Sequence, residues 1–233
     1  MVKLIGNQQP NYPNANEPEL KMTSIENELR EEMIDFLNRL TARGLIRGSS
    51  GNISSRLGKR QFLITPTHLP KGYLRKSDIV LIDDKGEVLN GKHTPSTDYE
   101  FHLAAYKARP DAQAVIHAHP VITTAFSLTE KTLNNGVLPE FDYLFPNGVP
   151  MVPYRPNAKK ELSEVCSAYL SKHDIVILSH HGTLALGHSL MLAWMLTEHL
   201  ETCYEVAFYA ECLAKAKPLS EKQVNLLREI KKS

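Results

Sequence analysis

Two histidines, two residues apart, close the apolar run Ala114-Val115-Ile116-His117-Ala118-His119. A second run, Ile175-Val176-Ile177-Leu178-Ser179-His180-His181-Gly182, ends in a histidine pair followed by glycine. Side chains on a strand alternate with period two, so His117 and His119 leave the same face. Imidazoles placed that way can share one cation at the ~2.0–2.1 Å bonds that zinc requires. His181, from the end of the other strand, supplies a third. Three imidazoles from two strand ends describe an open metal site with positions left for substrate. The plainer reading, histidines hydrogen-bonded in the core, would be preferred for any one of them alone. For HxH and HHG together, each closing a buried strand, metal binding is the better account, because imidazole is the commonest metal ligand. Zn2+ is the first expectation, and Mn2+, Fe2+ and Co2+ accept the same donors. His68, His93, His102, His173, His188 and His199 fall in loops or on helix faces and read as structural.

Three polar loops carry the remaining chemistry. Ser49-Ser50-Gly51-Asn52-Ile53-Ser54 joins a helix to a strand, and a glycine there lets backbone amides approach an anion. Most such strings are only turns, and Thr65-Pro66-Thr67 is equally ambiguous. Pro95-Ser96-Thr97-Asp98 opens a helix, where free amides and the helix dipole favour an anion. An N-cap with an acidic first turn explains that string locally. Asp98 gains interest because HxH follows one helix and one strand later. A carboxylate near a Lewis-acid metal is what proton abstraction beside a carbonyl needs.

The elements that must hold these residues are legible in the spacing. Residues 1–22, rich in Asn and Pro, read as a flexible arm, with a single domain over 23–233. Thr23 and Glu26 form a capping-box pattern ahead of a helix that stops near Gly44. Strands are expected at 52–56, 61–65, 79–83 and 87–89, then a helix over 97–108, a buried strand over 114–118 and a helix starting at 123–128. Further on come a helix over 159–172, a buried strand over 174–179, a long helix over 191–215 and a short one over 221–232. Strands and helices mix without regular βαβ alternation, which favours a layered α/β domain with a mixed sheet.

Composition narrows the function classes. The 233 residues are 42% hydrophobic and 23% charged with net charge +1, enough for a core and without the basic stripe that phosphate-backbone binding leaves, so no nucleic-acid partner is expected. No apolar run reaches the ~20 residues of a membrane span, so no membrane partner is expected either. Cys166, Cys203 and Cys212 are odd in number, lack CxxC spacing and read as buried small hydrophobes in a reducing, cytoplasmic compartment.

In order along the chain stand Ser-Gly-Asn-Ile-Ser (50–54), Ile-Thr-Pro-Thr (64–67), Pro-Ser-Thr-Asp (95–98), Phe-His-Leu-Ala-Ala-Tyr (101–106), Arg-Pro-Asp-Ala (109–112), Val-Ile-His-Ala-His (115–119) and His-His-Gly (180–182). Together they resemble the class II aldolase/adducin family over roughly residues 24–215, and within it most of all the ketose-1-phosphate aldolases. The resemblance implies a three-layer α/β/α fold with a mixed, mostly antiparallel sheet, and a homotetramer with active sites at subunit interfaces. It implies a cytoplasmic enzyme that cleaves a ketose 1-phosphate to dihydroxyacetone phosphate and an aldehyde. By position, His117, His119 and His181 match the metal ligands. Asn52, Thr67, Ser96 and Thr97 match the phosphate-binding positions, together with the Gly51 backbone. Asp98 falls at the catalytic acid/base and Tyr143 at a tyrosine reaching into a neighbouring site. His68 departs from a small glycine, and Asp98 from glutamate. L-Ribulose-5-phosphate 4-epimerase also has Asp there, and Asp142 resembles an epimerase acid, although the C-terminal tail offers no counterpart to the epimerase tyrosine. An epimerase, a methylthioribulose-1-phosphate dehydratase, or a non-catalytic adducin-like interaction domain are the alternatives on the same scaffold.

Overall fold

A computed structural model describes residues 23–129, 131–133, 136–155, 159–214 and 216–230. The arm expected over 1–22 lies outside the described residues. The chain opens with α1 (Ser24–Ala42), whose N-cap Thr23 accepts the Glu26 N–H on its hydroxyl at 3.1 Å. The reciprocal half of the expected capping box is not made. The Glu26 carboxylate turns instead to fully buried Arg30 at 2.7 Å, and Arg30 also donates to the carbonyls of Lys76 and Ile79. Burying an unpaired guanidinium would cost several kcal/mol, so the carboxylate goes where the charge is.

Four antiparallel strands follow or bracket short turns: β1 (Asn52–Gly58), β2 (Gln61–Ile64), β3 (Val80–Asp83) and β4 (Val88–Asn90). Then come α2 (Tyr99–Ala108), β5 (Ala114–Ala118), α3 (Val121–Ser127), α4 (Pro139–Leu144), β6 (Met151–Val152), α5 (Lys159–Leu170), β7 (Ile175–Leu178), β8 (Gly182–Gly187), α6 (Leu190–Leu213) and α7 (Glu221–Ile230). They form one eight-stranded sheet in the order β4-β3-β2-β1-β5-β8-β7-β6. Every neighbouring pair is antiparallel except β6 with β7.

Alternation along the strands divides the core in two. Phe62, Ile64, Val80, Ile82, Val115, Val176, Leu178, Leu184 and Leu186 face α2 and α5. Leu63, Leu81, Ile116, Ile175, Ile177 and Ala185 face the layer of α1, α3, α4 and α6. The result is the expected three-layer α/β/α sandwich with a mostly antiparallel sheet. The strand β8, the short helix α4 and the two-residue β6 were not expected from the sequence. Among the cysteines, Cys166 and Cys203 are buried as expected, whereas Cys212 is exposed near the end of α6, so the buried reading is corrected there.

Among the described residues no helix is long and apolar enough to cross a membrane.

Candidate metal centre and acid/base site

The central strands β1, β5 and β8 bring the site together. His117 lies opposite Asn52 on one side and Leu184 on the other, and its parity turns its ring toward α2. It is fully buried, and its Nδ1–H donates to the Thr183 carbonyl at 2.9 Å. That bond fixes the tautomer and leaves the Nε2 lone pair aimed at the site, as an outer partner does for a ligating imidazole. His119 sits just past the strand end, its N–H donating to the Leu45 carbonyl at 3.0 Å. The chain is then held by Glu201, whose carboxylate accepts from the Ile122 and Thr123 amides and the Thr123 hydroxyl.

His181 is delivered by the tight turn between β7 and β8. The His181 N–H donates to the Leu178 carbonyl at 3.0 Å and His180 adopts φ 61°, the left-handed region that a non-glycine residue enters only at a cost. Gly182 is required by close approach: a Cβ there would lie 2.3 Å from the Ala118 carbonyl oxygen and 2.9 Å from the His119 ring. Gly51, at φ 71°, is constrained likewise, since a Cβ would stand 2.9 Å from the His117 carbonyl oxygen.

The three rings have centroids 4.7–5.0 Å apart and planes inclined by 63–71° to one another. Their candidate ligand nitrogens all lie within 4.8 Å of one another, with Nε2 of His117 and of His119 3.0 Å apart. Two nitrogens bound to one tetrahedral zinc stand about 3.4 Å apart, so little movement separates this cluster from a coordination shell. Burial holds all three imidazoles below their ordinary pKa: His117 well below, His119 down to about 4 and His181 in the same direction. Neighbouring imidazoles add to the shift at His117 and His119. Neutral, desolvated nitrogens converging on one point are the donor set a divalent ion takes, and the residues fit such an ion.

That desolvation has a stability consequence. An unfolded histidine takes up a proton below about pH 6.5, whereas folded His119 resists protonation until about pH 4 and His117 and His181 are shifted in the same direction, so the unfolded state binds more protons in between. The metal-free protein should therefore lose stability as pH falls through that window. Thermal unfolding midpoints measured across it should drop more steeply for the native chain than for His117→Ala/His119→Ala. Equal slopes would mean the cluster is not buried in the neutral form.

The loops expected to hold an anion converge beside the histidines. Asn52 neighbours His117 across the sheet. The Thr65 N–H donates to the Ile53 carbonyl, and Pro66 bridges Pro95, placing Thr67 beside the 94–98 segment. Thr97 is exposed, Thr67 half-buried and Ser96 buried, its hydroxyl accepting the Asp98 N–H at 3.3 Å. His68 sits at φ 60° with an exposed side chain.

Asp98 occupies the N-cap position of α2 yet makes no side-chain cap bond. Its carboxylate accepts from Asn52 Nδ2 at 2.8 Å and its Oδ2 lies 4.0 Å from His117 Nε2, a spacing rather than an ion pair because His117 is neutral. Asn52 is thus buried, with one N–H of its amide engaged by a carboxylate. Tyr143 is half exposed on α4, which packs on α6 and α7 in the layer opposite α2.

Two residues at this site escaped the sequence reading. His102, read there as structural, bonds both Asn52 and Ser54 beneath Asp98. Lys71 is almost wholly buried, its ammonium donating to the carbonyls of Pro66 at 2.9 Å and Leu69 at 3.1 Å, so it braces the 66–71 loop. Burial pulls its pKa down to about 8, against the opposing pull of Asp98. A loop lysine gives no sequence signal for such a role.

The profile described as class II aldolase and adducin N-terminal domain matches residues 31–208, and the chain belongs to that family. It is 35% identical over 210 residues to the L-fuculose phosphate aldolase of Escherichia coli (strain K12), covering 87% of this chain and 94% of that protein. It is 33% identical over 188 residues to a 5-methylthioribulose-1-phosphate/5-deoxyribulose-1-phosphate aldolase of Escherichia coli O45:K1, covering 79% and 84%. A solved L-fuculose 1-phosphate aldolase superposes with a TM-score of 0.79 at 26% identity, covering 91% of this chain and 98% of that one.

Proposed function

We propose that the protein is a divalent-metal-dependent aldolase that cleaves a ketose 1-phosphate, L-fuculose 1-phosphate or a close analogue, into dihydroxyacetone phosphate and an aldehyde. The observation that carries this is one carboxylate, Asp98, 4.0 Å from a cluster of three neutral imidazoles. His117, His119 and His181 would hold the ion, with zinc the first choice and Mn2+, Fe2+ or Co2+ as alternatives. A bound divalent ion would serve as Lewis acid toward the substrate's carbonyl oxygen, where negative charge develops.

The chain's own residues supply positioning and proton transfer. The Gly51 amide, the Thr67, Ser96 and Thr97 hydroxyls and the second N–H of the Asn52 amide form the phosphate cradle. In cleavage the C4 hydroxyl loses its proton, the C3–C4 bond breaks and its electron pair moves toward the C2 carbonyl. Asp98, having taken a proton from solvent, then delivers it to C3, and in the synthetic direction the carboxylate removes it. Tyr143, exposed on α4, exchanges the proton on the aldehyde oxygen at a neighbouring subunit's site in a homotetramer.

The epimerase alternative would use Asp142 as an acid. That carboxyl is buried here and accepts the Gly136 N–H on both oxygens, at 2.8 and 3.1 Å, so it is committed within its own subunit. This favours the aldolase.

Product analysis of the metal-loaded protein with several ketose 1-phosphates tests the proposal. Dihydroxyacetone phosphate should appear in step with an aldehyde, whereas a C4 epimer or a dehydrated product without cleavage would replace this reading. Thr97→Ala isolates the cradle better than a change at Asn52, which also holds Asp98. It should raise KM for phosphorylated substrates by roughly tenfold, the effect of one lost hydrogen bond to a charged group, and leave unphosphorylated ones nearly unchanged. Equal effects on both would show that Thr97 does not contact phosphate.

A further inference from the structure

Asp98, His102 and Tyr106 stand four residues apart and so leave one face of α2 and the turn before it. Asn52 and Ser54 alternate onto the facing side of β1. The two rows interlock. Tyr106 Oη lies 2.9 Å from Ser54 Oγ, Ser54 Oγ 2.7 Å from His102 Nδ1, His102 Nε2 2.5 Å from Asn52 Oδ1, and Asn52 Nδ2 2.8 Å from Asp98 Oδ2. All but Asp98 are buried.

The donors and acceptors have one consistent arrangement. A carboxylate only accepts, so the Asn52 nitrogen must face Asp98 and the Asn52 oxygen must face His102. That oxygen needs a donor, so His102 carries its hydrogen on Nε2 and its Nδ1 is bare. The Ser54 hydroxyl then donates to Nδ1, and the Tyr106 hydroxyl donates to Ser54. The opposite tautomer would invite the amide to flip and set its oxygen against the Asp98 carboxylate.

We propose that His102 is a positioning residue for proton transfer at this site: its Nε2–H locks the Asn52 amide, and the locked amide fixes the orientation of the Asp98 carboxylate beside His117. The proposal rests on the reading of Asp98 as the proton-transferring group. The chain is an anchor and not a proton wire. Burial holds His102 down to about 4 and raises the Tyr106 phenol, so every member but Asp98 is uncharged. The far end is closed by Arg56, whose guanidinium lies 4.7 Å from the Tyr106 ring centre and donates to the Tyr106 carbonyl.

Two measurements on the metal-loaded protein test this. Side-chain nitrogen NMR of His102 should show the Nε2–H tautomer, unchanged between about pH 8 and about pH 5.5. An Nδ1–H tautomer, or a mixture, overturns the proposal whatever the reaction. The second measurement is exchange of the C3 proton of dihydroxyacetone phosphate with solvent deuterium in His102→Phe, His102→Asn and His102→Gln. The glutamine amide nitrogen reaches the place of Nε2, whereas the asparagine amide reaches only that of Nδ1. Exchange should therefore slow ~10–100-fold in the phenylalanine and asparagine variants and stay within about threefold in the glutamine variant, with metal content and KM near native. The asparagine and glutamine variants alone decide the matter if the phenylalanine variant does not fold. Native exchange in the asparagine variant, or equal loss in asparagine and glutamine, overturns the proposal. Failure of the underlying reading looks different: Asp98→Asn would then exchange at the native rate. If both readings hold, adding His102→Asn to Asp98→Asn causes no further loss.

Discussion

His117→Ala/His119→Ala should purify without a bound divalent ion and without measurable turnover, yet remain folded at room temperature. Native protein should carry about one ion per chain, because three neutral nitrogens within 4.8 Å of one another offer the minimum shell of a catalytic site. Removing two of three ligands leaves a lone imidazole, which cannot hold a divalent ion against water. The fold should survive because the two core layers on either side of the sheet are built from aliphatic and aromatic side chains that the substitutions do not touch. The cost is one buried bond, His117 Nδ1–H to the Thr183 carbonyl, and a small cavity. An acceptor left unpaired costs roughly 1–3 kcal/mol, and each kcal/mol moves the unfolding midpoint of a chain this size by about 2–4 °C. Metal analysis beside a thermal melt checks both halves. A full metal load in the double variant would remove the cluster as the metal site. A melt that collapses would mean the imidazoles bind the sheet together more than they bind an ion.

That cluster was legible because strand periodicity is nearly free of context. Alternation alone put His117 and His119 on one face, and the structure gives β5 the same bounds as the sequence reading. The third histidine, His181, was legible from its place at the end of an apolar run closing in His-His-Gly, although the reason for that glycine, the Ala118 carbonyl 2.3 Å from where a Cβ would be, is a tertiary contact. The strand it opens was missed. Gly182–Gly187 is buried at every position and bounded by glycines, so it has neither alternation nor a polar face to announce a strand. Helix α4 and strand β6 are too short for periodicity to register. Asp98 sits where an N-cap does, and only the absence of a cap bond in the folded chain turns it toward Asn52. For His102 a signal did exist. Asp98, His102 and Tyr106 recur every fourth residue as a polar stripe beside apolar Phe101 and Ala105, and a polar stripe on the buried face of a helix needs partners. Which partners it finds depends on the pairing of β1 with β5, a long-range register that one helix cannot reveal.

Asp98→Asn should lower turnover by ~10²–10⁴-fold, the usual contribution of a positioned acid/base group, with metal content unchanged. Asparagine is nearly isosteric and Asp98 makes no cap bond to lose, so helix α2 should be undisturbed. The substitution still acts on the network, because Asn52 Nδ2 must now meet either an amide oxygen or an amide nitrogen. The oxygen is the one that satisfies it, and asparagine can rotate to present it, leaving Asn52 and His102 in place. What disappears is the capacity to take and give a proton 4.0 Å from His117 Nε2. The deuterium exchange that isolates His102 reads this step as well, since removal of the C3 proton of dihydroxyacetone phosphate does not require knowing the aldehyde. Asp98→Glu sharpens the result. Its extra methylene moves the carboxylate off its present place beside Asn52, and if the site tolerates the longer acid, exchange should stay within about tenfold of native. Native-rate exchange in Asp98→Asn would mean that another group moves the proton, and Asp98 would keep only its place as the end of a buried hydrogen-bond chain.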